Sequence, residues 1–588
     1  MLAGSCSTVV ELFRRRVEAS GKHPMYRVKR GGSWEVTTWR QFGDRAEAIA
    51  AALHEWGLRR GDSVAIMGDT NPGWVEADMA SLLLGARVVG VYQNLLLDQV
   101  QYLLEDAGCR LVFVQGRQAL ELVSPLLQTV ETLEGVIAWG TEHETTLDGL
   151  ASRALDPAPV REAQATLQPE DDVLVVYTSG TTGQPKGVPL NSRNILAMLF
   201  AGESLVDHVG PADITLSFLP MAHVAEHVPG FFGRMNLGLQ TAYATNYDTV
   251  LDELQEIRPT IFGGVPRIFE KMYGRIHERV ARASPRRQRL FVWAKALAVR
   301  KAREEMSLLD WLLYPVADVL VYRRLRAVFG GRVRGFLTGS APINIEILEF
   351  FYGVGMVIIE CYGMSECSAI SFSNSAEDLR LGTVGRALPG VECRIASDGE
   401  IWLRGPAVFA GYLNQPGAAR FDEEGWFPTG DIGDLDADGY LRITDRKKNL
   451  IKTAGGKYVA PARLEALIKE EPLVSQVYVH GDRRPYVVAL VTLDERETGR
   501  VAEELGLSEA ELPESPEVLR RISVAVERAN ARLARFEQLK AHAVLPRDFS
   551  LEEGTVTPTL KIKRRVVAER YADEIEALYL RGRGSAPG

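Results

Sequence analysis

The sequence predicts an α/β protein in which a large N-terminal domain of parallel α/β layers carries a small β subdomain and precedes a small, mobile α+β C-terminal domain. Three observations predict it. Strand-like and helix-like segments alternate over the first half of the chain, the pattern of parallel strands joined by helical crossovers. Beyond Gly382 come short strands and tight turns, VECRIASDGEIWLRGP and GWFPTGDIGDLDADGYLRITDR, with an Asp438-Gly439 hairpin signal. After the charged run DRKKN at 445–449, helices and strands mix again. At 588 residues the chain is too long for one core, so the boundary is placed at that run, giving domains 1–445 and 446–588. The run is the expected hinge.

Taken in order, residues 38–56 place Trp39, Phe42, Ala46, Ile49, Leu53 and Trp56 three or four apart, with a Thr38–Gln41 capping box and Gly57 beyond. Strands are expected at 63–67, 87–92 and 111–114, with helices after Pro72 and over 98–106. The Ala/Pro-rich stretch 154–170 reads as a surface linker. Val173 to Val176 form a β-branched run expected to be buried on both faces. A helix over 192–204, a strand over 214–220, a helix from His223 and a strand over 260–266 resume the alternation. Strand-like segments at 333–342 and 356–366 each run into a polar loop. The C-terminal part predicts a helix over 461–470, strands VSQVYVH and YVVALVTLD, and a long helix near 515–540.

The composition, with 46% hydrophobic and 25% charged residues, is that of an ordinary globular protein. A net charge of −9 and a pI near 5.7 argue against nucleic acid as a partner. Five cysteines without a C-x-x-C pair suggest neither a disulfide framework nor a zinc site. The N-terminus lacks the basic start and unbroken apolar core of a signal peptide. Residues 308–322 are apolar but carry Asp310, Pro315 and Asp318 and are too short to span a bilayer. A cytoplasmic protein is expected. From Lys271 to Arg303, eleven basic residues accompany one acid, Glu278. That segment reads either as a solvated helical face or as a patch for anionic lipid, giving peripheral contact at the inner membrane face.

The buried run at 173–176 opens into a loop rich in Gly, Ser and Thr. Gly180, Gly183 and Gly187 let the backbone turn with its N–H groups outward, Thr178, Ser179, Thr181 and Thr182 add hydroxyls, and Lys186 adds a mobile charge. Such a loop suits phosphate. It is not a Walker A loop, because the lysine follows a proline and precedes a glycine. As written, YTSGTTGQPKG (177–187) resembles the phosphate loop of the adenylate-forming enzyme superfamily. LPMAHVAEH, GGVPRIFEKMY, TAGGKYVAP and TPTLKIKRR together look like its long-chain fatty acyl-CoA synthetase branch, and the resemblance covers roughly residues 10–575.

That resemblance implies ATP, Mg2+ and coenzyme A as co-substrates, a fatty acid as the acid activated, and an acyl-adenylate between two half-reactions. It implies a role for each further motif. Glu366 in YGMSE matches the magnesium-binding glutamate, Thr178 a hydroxyl that shares the ion, and Ser365 stands where threonine is usual. Asp431 in TGD and Arg446 match the ribose contacts; Gly339, Ser340 and Ala341 in GSAP, with Tyr362 and Gly363, resemble the adenine pocket. Lys561 aligns with the C-terminal catalytic lysine, and Lys448 with the hinge position. His223 matches a histidine lining the carboxylate and thiol path, with His227 leaving the choice between the two open. Gly455 and Gly456 resemble the pantetheine tunnel. The rival readings are a fatty acyl-AMP ligase loading a carrier protein, and a non-catalytic acyl- or nucleotide-binding protein.

Overall fold

The computed structural model describes residues 1–178, 184–206, 208–557 and 561–583. Its largest sheet has six strands in the order Gly135–Trp139, Cys109–Gln115, Ser63–Met67, Arg87–Val91, Asp172–Thr178 and Lys186–Asn191. The first five run parallel; the last pair is antiparallel. Ser63–Met67 and Gly135–Trp139 are buried throughout, as strands covered by helices on both faces must be. The expected run 173–176 lies inside Asp172–Thr178 and is buried.

A second sheet continues the parallel pattern with Ile261–Gly264, Gly335–Thr338 and Ile358–Tyr362, then two short antiparallel strands. A third joins Ser33–Thr38, Pro24–Arg30, Gln240–Tyr243 and Ile214–Ser217. The expected β subdomain is a four-stranded antiparallel sheet from Glu392 to Arg446. Beyond it, Val474–His480, Val487–Leu493 and Leu539–Val544 form a three-stranded sheet with its own core. The α/β body, β subdomain and α+β C-terminal part follow the predicted class.

Three local expectations are corrected. The stretch 154–170 is more than a linker: Ala158–Gln164 is helical and buries Val160. The helix expected from His223 starts as a wide π turn, Glu226–Phe232, with Pro229 inside, before becoming α-helical over Gly233–Leu237; proline has no N–H to give a regular ladder. The helix expected over 515–540 ends at Asn530, whose side chain donates to Leu539 O and accepts from Leu539 N, folding the chain back into the strand Leu539–Val544. The basic segment is two helices, Pro266–Ala281 and Pro285–Ala302. Among the described residues no helix is long and apolar enough to cross a membrane.

The helix Pro285–Ala302 packs closely on Ile345–Gly353 because of one missing side chain. A Cβ at Gly353 would lie 2.1 Å from the Ala298 carbonyl oxygen, so the helices must separate to admit it. Gly353→Ala is therefore expected to destabilise the protein by about 1–3 kcal/mol, the usual cost of overpacking. Chemical denaturation measures this; an unchanged midpoint and slope would refute the contact.

Candidate active site

Asp431 and Arg446 sit on neighbouring antiparallel strands and are register partners, so strand pairing alone brings them together. Arg446 Nε lies 3.1 Å from Asp431 Oδ1, and the Tyr362 hydroxyl donates to Asp431 Oδ2 at 2.7 Å. Asp431 is buried, yet one oxygen meets a cation and the other a hydroxyl donor, as a buried carboxylate requires. Both of its partners are groups that a ribose could displace or join.

Glu366 follows Tyr362 in a short 3₁₀ turn, Ser365–Cys367, and is buried. Burial raises its pKa, opposed by hydrogen bonds, including one from the Tyr412 hydroxyl at 2.8 Å, and by the nearby Arg446. Gly363 allows this turn: a Cβ there would lie 1.9 Å from the Ala369 carbonyl oxygen. Lys186 holds its ammonium over the Tyr412 ring, 4.7 Å from the centroid, so one tyrosine links Lys186 to Glu366. Thr178, at the end of its strand, pairs with Lys186 across the sheet. Ser179, Gly180, Thr181, Thr182 and Gly183 lie outside the described residues.

Among the described residues, no three His, Cys, Asp or Glu side chains converge to hold a metal unaided. A single carboxylate and a hydroxyl are nevertheless the hard oxygen donors that suit Mg2+, an ion usually held through one or two carboxylates and the substrate's phosphates. Glu366 and Thr178 fit that pattern.

These residues line one connected cavity of ≈ 3230 Å³. Gly339, Ser340 and Ala341 form part of its wall, with Ser340 in the left-handed region at φ 69°. Lys561 reaches in from the C-terminal domain, its backbone N–H bonded to Thr557 Oγ1 at 3.1 Å. The protein walls around its ammonium lower its pKa; Arg446 adds to this and Asp431 opposes it. His223 faces the same charge: burial and then Lys561 bring its pKa down to about 4. Its Nδ1 accepts the Ala225 N–H at 3.2 Å, which leaves the proton of the neutral ring on Nε2. His227 points elsewhere, with Nε2 3.2 Å from buried Asp78 and its ring against Trp74 and Phe232. Of the two histidines, the structure brings only His223 to the cavity.

Lys448 also lines the cavity, where its walls and Arg446 lower the pKa while Asp431 and Glu366 raise it. Gly455 and Gly456 are not brought there. They form the tip of a turn closed by Gly456 N donating to Thr453 O at 2.8 Å. Neighbouring Arg564 is committed elsewhere, donating to the Val479 carbonyl and to Glu465.

The family model for AMP-binding enzymes matches residues 13–413, and that for the AMP-binding enzyme C-terminal domain matches residues 448–583. The chain belongs to the AMP-binding enzyme family. Among curated relatives of this AMP-binding enzyme, the long-chain-fatty-acid–CoA ligase FadD15 of Mycobacterium bovis is 36% identical over 93% of each chain. Among solved structures, the adenylation domain of a carboxylate reductase from Mycobacterium chelonae superposes with a TM-score of 0.77 at 24% identity, covering 98% of this chain and 93% of that one. A Mycobacterium tuberculosis fatty acyl CoA synthetase gives 0.63 at 23% identity, covering 96% and 99%. These two structures share the fold.

Tyr412 was missed by sequence reasoning. It sits in a loop, 46 residues from Glu366, and no periodicity marks it; its only signal is a tyrosine in a turn-rich stretch, GYLNQPG. Losing a hydrogen bond to a charged group costs about 1.5–3 kcal/mol. Tyr412→Phe, which keeps the ring beneath Lys186, is expected to raise the Mg2+ needed for half-maximal activity by about tenfold. Magnesium titration at saturating ATP reads this, and an unchanged requirement would remove Tyr412 from the site.

Proposed function

We propose that this AMP-binding enzyme activates a long-chain fatty acid and transfers it to coenzyme A. A carboxylate oxygen attacks the α-phosphorus of ATP and pyrophosphate leaves, giving acyl-AMP; the thiolate of coenzyme A then attacks the acyl carbonyl and AMP leaves. The observation that carries this reading is that Asp431, Arg446 and Glu366 line the same cavity as Leu199, Leu216 and Val209, and that the Lys561 charge in that cavity is felt by Arg446, Asp431 and His223 alike.

At the polar end, Asp431 and Arg446 would take the ribose, the Gly339–Ala341 segment and Tyr362 the adenine, and Lys186 with the loop before it the phosphates. Mg2+ bound through Glu366 and Thr178 would neutralise the departing pyrophosphate. Lys561 would stand between two anions that otherwise repel, adding its charge where negative charge builds up. Neutral His223, offering an Nε2–H, would orient the carboxylate and would not remove a proton.

The apolar end has a physical signature in Gly263. Strand side chains alternate, so Gly263 faces the same way as Ile261, toward a cluster with Val209 and Leu239. A Cβ on Gly263 would meet no atom within 4 Å. Glycine weakens a strand interior, and its use here leaves apolar space open for an acyl chain.

The remaining assignments are proposals of the same kind. The domain boundary falls at 445/446. Lys448 is the hinge, and turning about it would bring Gly455 and Gly456 to the thiol path that they do not line in this conformation. The protein works in the cytoplasm, with the basic segment 271–303 meeting the anionic inner face of a membrane; exposed Arg282, Arg286, Arg287 and Arg289 support this.

Two tests follow. Lys561→Ala should lose on the order of 10²-fold in acyl-adenylate formation while sparing transfer from preformed acyl-AMP to coenzyme A. Lys448→Pro, with φ fixed by the ring, should keep adenylation and lose transfer. Normal adenylation in the first variant or normal transfer in the second would overturn these roles, and transfer only to a carrier protein's thiol would favour the carrier-loading rival. Separately, Gly263→Leu should lower kcat/KM for a palmitate-length acid on the order of 10-fold more than for a hexanoate-length acid. Equal losses for both acids would place the acyl chain elsewhere.

A further inference from the structure

An ion pair stands in the apolar part of the cavity wall. His223, Glu226, Gly230, Gly233 and Leu237 recur three and four residues apart and all line the cavity, so one face of the π turn and of the helix that continues it follows that space. At its far end Leu237 packs against Val209, Leu239 and Ile261, the cluster toward which Gly263 faces. Between the two ends, Arg234 also lines the cavity and donates through Nη2 to Glu226 Oε1 at 2.6 Å. Both residues are deeply buried, Glu226 with 5% and Arg234 with 8% of its surface exposed.

The pair is not complete in itself. Ser217 Oγ also donates to Glu226 Oε1, at 2.6 Å, so both bonds fall on one carboxylate oxygen. The other, Oε2, is uncovered because residue 230 is glycine: a Cβ there would lie 3.2 Å from it. Arg234 Nε is buried and has no partner among the described residues. A buried ion pair adds little stability of its own, and one that is incompletely bonded beside apolar surface costs the fold free energy. An occupant of the cavity that supplies the missing bonds removes that cost.

We propose that Glu226 and Arg234 recognise a hydroxyl group in the middle of the acyl chain, so that mid-chain hydroxy fatty acids are the favoured acids. The inference rests on the acid activation proposed above and narrows its substrate class. A hydroxyl answers both partners at once: its O–H donates to Glu226 Oε2 and its oxygen accepts from the Arg234 guanidinium. A keto group only accepts, a second carboxylate meets the charge of Glu226, and a plain methylene chain leaves both groups unmet. Arg234 stands eleven residues beyond His223, about 16 Å at the α-helical rise, and its side chain reaches back to Glu226. With the reacting carboxylate at His223 and the chain running toward Leu237, the pair meets the chain part-way along its length.

The test is kcat/KM for AMP formation with coenzyme A, measured for palmitate and for hexadecanoates carrying a single hydroxyl at successive positions. One mid-chain position is expected to exceed palmitate by about tenfold, the worth of a hydrogen bond to a charged group, and the matching keto acid is expected to gain less. In the double variant Glu226→Met/Arg234→Met, which removes both charges together, the ratio of hydroxy acid to palmitate should fall to unity; a ratio taken on one preparation cancels any loss of folded enzyme. A flat profile in the wild type, or a gain confined to hydroxyls beside the carboxyl, would overturn the inference while leaving fatty acid activation standing. A hydroxyl preference that survives in the double variant would overturn the assignment to this pair. Activation of no long-chain acid at all would overturn both this inference and the reading on which it rests.

Discussion

A carboxylate and a triphosphate repel each other, and a protein that joins them must hold a cation where they meet without letting an internal acid neutralise it. On the proposed reading, with Lys561 as that cation, the arrangement here meets the constraint by division of labour. Asp431 is already engaged by Arg446 and Tyr362, Glu366 by Tyr412, and Glu465 by Arg564. Lys561 therefore enters the cavity with its charge modulated, not cancelled, and its lowered pKa reflects that crowding. Burial, and then the Lys561 charge, keep His223 neutral.

The parts of the structure that position this charge follow from simple rules of chain geometry. Antiparallel pairing sets Asp431 opposite Arg446, glycine at 363 permits the turn that presents Glu366, and glycine at 263 opens the apolar wall. The lysine itself arrives from the other domain. On the proposed reading, completing the site depends on where the C-terminal domain stands, which a two-step reaction with bulky substrates can exploit.

Much of the architecture was legible because buried parallel strands announce themselves: Ser63–Met67 and Asp172–Thr178 read as apolar runs and are so placed. Elements decided by a single tertiary contact were not. The helix end at Asn530 depends on a side chain bridging to Leu539, and the π turn at Glu226–Phe232 on where Pro229 falls. At the site, side chains in contiguous motifs were legible, whereas Tyr412 joins two of them from a loop with no pattern of its own. The choice between His223 and His227 needed the fold, since only packing against Trp74 and Phe232 removes His227 from the cavity. Residues 308–322 were read only against a membrane span, by their length and by Asp310, Pro315 and Asp318, and their exposure became visible once the helix was seen docked by its other face.

The central claim is that the acid's own oxygen attacks the α-phosphorus in this cavity, so the oxygen should be traceable. Palmitate carrying ¹⁸O in both carboxylate positions, incubated with the enzyme, ATP, Mg2+ and coenzyme A, is predicted to deliver one labelled oxygen to AMP for each thioester formed. Label in inorganic phosphate or pyrophosphate, with none in AMP, would contradict the account.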